Sequence, residues 1–151
     1  MPLAITLHLL AAVIWVGGMF LAWMVLRPVA AGLLDPPQRL TLWARVFQRF
    51  FPWVWAAVAV LLATGLWMLF SVFGGMAAAR WHIHLMLAIG LVMMAIFAYI
   101  WFVPYPRLHA AVQAKSWPEG GNHLGRIRRL VGLNLILGLV TVVVASGGRY
   151  F

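Results

Sequence analysis

The chain has no cysteine and only two acidic residues, Asp35 and Glu119, among 151. The missing cysteine excludes disulfides, thiolate zinc sites, iron–sulfur ligation and covalent haem attachment through a C-x-x-C-H motif. Both acids belong to polar stretches between apolar runs. No carboxylate is therefore left for a proton relay within a span, for a dicarboxylate hydrolase pair, or for a Ser/His/Asp arrangement. Chemistry in such a chain has to come from a bound group. Charge of either sign is scarce. Asp, Glu, Lys and Arg together make up 9% of the residues, where a soluble domain carries about a quarter.

Apolar residues fill the space instead, at 66% of the chain. The composition is that of an integral membrane protein, and the length suits one domain, residues 1–151. The pattern predicts an all-α fold, a four-helix transmembrane bundle with spans at about 3–26, 52–73, 81–103 and 130–146, each close to the ~20 residues a bilayer needs. The start, Met1 to Ala4, lacks the positive region of a signal peptide, so the first run reads as a retained helix. Arg27-Pro28 is expected to close it. Asp35-Pro36-Pro37 reads as a helix start. From Gln38 to Phe51, Leu40, Trp43, Phe47 and Phe50 share one face, away from Arg39, Arg45 and Gln48. That pattern predicts an amphipathic helix preceding the second span, either interfacial or an extension of it. Gly74-Gly75 should end the second span, and Pro104 with Pro106 the third. Between Arg107 and Arg129 a short helix and a turn at Pro118–Asn122 are expected.

The formal net charge is +9, yet the distribution excludes nucleic acid as a partner. The basic residues sit in short connections between spans and form no folded basic face. Arg27, Arg39, Arg45 and Arg49 lie between spans one and two. Arg107, Lys115, Arg126, Arg128 and Arg129 lie between three and four, and only Arg80 and Arg149 lie on the other side. The positive-inside rule then places N- and C-termini outside, in a bacterial inner (plasma) membrane crossed by several passes.

His8 and His84 each stand about four residues inside the start of an apolar run. Ionisable groups within a span are costly and usually functional. Spans one and three run in the same direction, so both imidazoles should lie ~6 Å below one surface at 1.5 Å per residue. Ala4, His8, Ala11, Trp15, Gly18 and Ala22 form one helical stripe, and His84, Ala88, Leu91, Ala95 and Ala98 another. Small residues mark packed helix faces, so both histidines are expected to point inward. His82 stands about 200° away from His84, on the bulky stripe Met86, Ile89, Met93, Ile96 and Ile100. That stripe suits lipid or a second copy of the chain. His109 and His123 read as solvated.

Two inward imidazoles at one level could ligate a b-type haem (heme b) axially, and this is the leading reading. Trp15 and Gly18 would wall the pocket, Trp67, Phe70, Ser71, Thr141, Ala145 and Gly148 would stand at the same level, and Arg80 or Arg149 would pair with a propionate. Such a protein would act in electron transfer or oxidoreduction with a quinone. The alternative is copper on the same histidines, with His82 and Met86 as further donors, because thioethers suit Cu(I). Most of the methionines, however, read as packing. The third reading is an accessory subunit with no cofactor. Asn134 should hydrogen-bond across helices, and Arg128-Arg129 could meet anionic lipid.

The string from His8 through Trp15 to Gly17-Gly18, closed by Arg27-Pro28, resembles the opening of CopD-family membrane proteins. Trp81-His82-Ile83-His84 and Ile127 to Asn134 are similar to later segments of its short members, so the resemblance covers nearly the whole chain. It implies copper transport by name. The order of elements is also similar to HemJ-type protoporphyrinogen oxidases, four-span proteins with b-type haem. They carry a histidine at the place of His8 and a run like Trp15 to Gly18. That resemblance implies haem binding and a porphyrin-like substrate. Here an apolar residue near Met24 replaces their arginine in the first span, and His84 replaces their lysine in the third.

Overall fold

The computed structural model describes residues 1–151 as four long helices, Pro2–Leu33, Pro36–Ser71, Trp81–Gln113 and Trp117–Gly147, each long and apolar enough to cross a membrane. There is no strand. Only helices and closed barrels leave no backbone group unsatisfied in hydrocarbon, and uninterrupted apolar runs of this length choose the helix. The expected extension of the second span is one continuous helix of 36 residues. At 1.5 Å per residue it is ~54 Å long, well beyond a ~30 Å hydrocarbon core. Its amphipathic part therefore stands outside the core, with Leu40, Trp43 and Phe47 buried.

Three expected stops are not stops. The first helix passes through Arg27-Pro28 and ends at Leu33. It does so through a π-helical stretch, Leu21–Leu26, in which the Arg27 N–H bonds to the Ala22 carbonyl five residues back. One wide turn relieves the clash of the Pro28 ring with the preceding turn. The third helix bends at Val103 and continues as Pro104–Gln113. The bend lays Leu108 and Ala111 against the start of the fourth helix, where Leu108 and Ile127 are fully buried. The segment Pro118–Asn122, expected as a turn, is the first part of the fourth helix. Pro118 needs no partner there, and Ser116 Oγ donates to Glu119 Oε2 at 3.2 Å across the first turn. Gly120 serves packing, because a Cβ there would meet Leu40 and Ala111 at 3.4 and 3.5 Å. The connection is instead Ala114–Ser116, with Lys115 at φ 54°. Gly74 and Gly75 do end the second helix region, both in the left-handed region at φ 75° and 92°.

The first helix lies chiefly against the second and the third against the fourth, while the first and third are diagonal. The core is aromatic. Phe51 stacks on Phe47 with ring centroids 4.9 Å apart and meets Phe97 and Tyr105 edge-on at 5.3 and 5.1 Å. Such pairs add ~0.5–1.5 kcal/mol each beyond their buried area. Asn134 bonds across helices as expected, Nδ2 donating to the Met93 carbonyl at 3.1 Å.

Candidate functional site

His8, His82 and His84 stand at the end of the bundle that carries both termini, and the helices rotate them differently. On the first helix, Ala11, Trp15 and Met19 are buried. His8 lies seven residues before Trp15, within about 20° of it at 100° per residue. It points inward, as expected. On the third helix the buried residues are Met93, Phe97 and Ile100. His82, eleven residues before Met93, falls within about 20° of that direction, and His84, nine residues before it, falls about half a turn away. Ala88, Leu91 and Ala95 on the His84 stripe are exposed. The stripe assignment is therefore reversed: bulky side chains pack the bundle, and the small-residue stripe of the third helix faces out.

The second helix supplies the partners of His8. Thr64 Oγ1 lies 2.8 Å from His8 Nδ1 and 2.6 Å from the Val60 carbonyl oxygen. Two acceptor oxygens cannot sit that close without a hydrogen between them, so the single hydroxyl hydrogen of Thr64 goes to Val60. Thr64 then accepts from His8 Nδ1–H. This tautomer leaves a lone pair on Nε2, the form in which imidazole binds metals. Gly65 admits the ring, since a Cβ there would stand 3.3 Å from His8 Cε1. Neither Thr64 nor Gly65 was singled out from sequence, although a depth count points to them. His8 lies six residues inside Pro2, and Thr64 seven inside Ser71.

His82 packs against the fourth helix, where a Cβ on Gly148 would come 2.8 Å from its own Cβ. Its Nδ1 is buried without a hydrogen-bond partner, and its ring meets Trp81 edge-on at 5.9 Å. Met86, one turn further on the same stripe, is half-buried.

Other residues expected around a pocket are elsewhere. Trp15 lies ~10 Å deeper than His8 at 1.5 Å per residue, edge-on to Phe97 at 6.3 Å, in the core. Gly18 is deeper still, under the Phe50 ring. Trp67, Phe70, Ser71 and Ala145 are exposed, and Thr141 Oγ1 donates to its own helix at the Leu137 carbonyl. Arg80 precedes the third helix and is exposed. Arg149 donates to Tyr150 Oη at 2.8 Å. No group of three or more His, Cys, Asp or Glu side chains comes together. What the end presents is one oriented imidazole, one half-buried imidazole whose Nδ1 is buried and unpartnered, and a thioether a turn below it.

Four apolar helices crossing in turn, with histidines held at one end, define a multi-pass membrane protein. Over residues 44–147 the chain matches the family described as copper resistance protein D, and it belongs to this CopD family. The matched stretch includes His82 and His84 and leaves His8 ahead of it. No curated protein and no solved structure matches the chain.

Proposed function

We propose that this CopD-family protein handles copper as cargo at the end of the bundle that carries the termini, with His8 Nε2 as the first donor and His82 and Met86 as further donors. The observation that carries the reading is the chain from His8 Nδ1 through Thr64 Oγ1 to the Val60 carbonyl: with the hydroxyl hydrogen on Val60, Thr64 accepts from His8 Nδ1–H, and Nε2 keeps its lone pair. Imidazole and thioether together suit Cu(I). A cargo ion needs sites it can leave as well as enter, which suits a few separate donors better than a closed cluster. On the arginine count this end faces outward, across a bacterial inner membrane.

Haem b between His8 and His84 is a poor fit, because the third helix turns His84 half a turn from the buried face. With it go the reasons for a quinone or a porphyrin-like substrate.

The test is a Cu(I) competition titration on detergent-purified protein, with an absorption spectrum of the same sample. We expect Cu(I) binding that His8→Ala abolishes and His82→Ala weakens, with His84→Ala unchanged. Failure to bind Cu(I) overturns the reading. A Soret band lost in His84→Ala also overturns it and restores haem.

A further inference from the structure

The opposite end of the bundle holds a cavity of about 290 Å³ where the first, second and fourth helices meet. Arg27, Arg39 and Arg128 line it together with Trp23, Trp43 and Phe47. The chain's two acids, Asp35 and Glu119, are not among its lining residues. Three guanidiniums around one concavity with no carboxylate repel each other unless an anion joins them. Arg27 is already aimed: its guanidinium lies 4.2 Å from the Trp23 ring centroid, and its Nε donates to the Trp23 carbonyl at 3.4 Å. Trp23 itself belongs to the π-helical stretch, and π turns occur frequently at functional sites. It fits because Gly132 leaves room, a Cβ there coming 2.9 Å from the indole. Gly121 and Gly125 also line the cavity, and a Cβ at either would meet nothing within 4 Å. These glycines keep the space open without being needed for helix contact.

We propose that this cavity binds an anionic membrane phospholipid, its phosphodiester on Arg27, Arg39 and Arg128 and its glycerol and first acyl carbons along Trp23, Trp43 and Phe47. Arginine recognises phosphate bidentately, which a lysine cannot do. A soluble phosphate would leave the aromatic wall uncovered, and a zwitterionic headgroup would bring a further cation among three arginines. The volume is at the small end for a ligand site. It suits a headgroup with the acyl chains running out along the helices.

The experiment measures lipid retained per chain by native mass spectrometry of the full protein, from mixed micelles containing phosphatidylglycerol or phosphatidylcholine, with inorganic phosphate as competitor. We expect phosphatidylglycerol to be retained and phosphatidylcholine not. Arg39→Gln with Arg128→Gln should weaken retention at least about tenfold, since charge-assisted hydrogen bonds are lost. Gly125→Leu should block it sterically with every charge in place, and Arg45→Gln with Arg49→Gln, outside the cavity, should leave it unchanged. Equal retention of both lipids overturns the proposal. So does retention surviving in Gly125→Leu. Displacement of the lipid by inorganic phosphate makes this a soluble-anion site and also overturns it.

Discussion

Asn134→Leu should stabilise this protein, although it removes a buried interhelical hydrogen bond. Asn134 is 2% exposed, and its Nδ2 donates to the Met93 carbonyl. Interhelical hydrogen bonds in membrane proteins average only ~0.6 kcal/mol. The other half of the amide counts against the native residue, because Oδ1 is buried with no partner, a cost of about 1–3 kcal/mol. Beside it lies a cavity of about 20 Å³ lined by Trp15, Met19, Phe51 and Phe97 among others. At ~24 cal/mol per Å³ that void holds about 0.5 kcal/mol, part of which a leucine recovers. The net expectation is a gain of about 1–2 kcal/mol in reversible unfolding in mixed micelles. Asn134→Ala relieves the same oxygen but loses the bond and enlarges the void, so it should fall about 1–2 kcal/mol below the leucine variant, close to the native stability. A loss of more than about 1 kcal/mol in the leucine variant would refute the reasoning, since it would mean that the hydrogen bond outweighs the unpartnered oxygen.

The outer partner of an imidazole tunes its affinity for a metal. Thr64→Val should therefore lower Cu(I) affinity about tenfold in the competition titration, while Thr64→Ser, which keeps the hydroxyl, restores it. Equal affinity of all three proteins would show that Thr64 does not orient His8. Gly132→Ala drives a Cβ into the Trp23 indole and should cost about 1–3 kcal/mol in the same unfolding assay. Gly90→Ala meets nothing within 4 Å and should be neutral or gain up to ~1 kcal/mol from helix propensity. A reversed order would show that the first and fourth helices are not packed at Gly132.

The four helices were legible because length and apolarity set them directly. Runs of ~20 apolar residues without a carboxylate have no other stable form in a bilayer. Gly74-Gly75 was legible for a similar reason, since consecutive glycines free the chain to adopt positive φ. The prolines misled. Pro28, Pro104 and Pro118 are signals to stop in water, where a freed carbonyl can turn to solvent. In this bundle a π turn, a bend and a helix start absorb them. His8 was placed correctly because its stripe carries Ala11, Trp15 and Gly18, which match a close neighbour.

The sequence by itself determined that this is a four-helix membrane chain, that most of its arginines gather at one end, and that His8, His82 and His84 stand at the other. Only the tertiary structure decided how the third helix is rotated, which exchanged His84 for His82 on the buried face, and which neighbour meets His8. It alone brought Arg27, Arg39 and Arg128, scattered over three helices, around one cavity. The physical reason is the solvent. Lipid is as apolar as a protein core, so a transmembrane helix carries no hydrophobic stripe that distinguishes inside from outside. Rotation is then set by shape, by where a glycine lets a ring approach, and shape is a property of the neighbours and not of the helix's own residues.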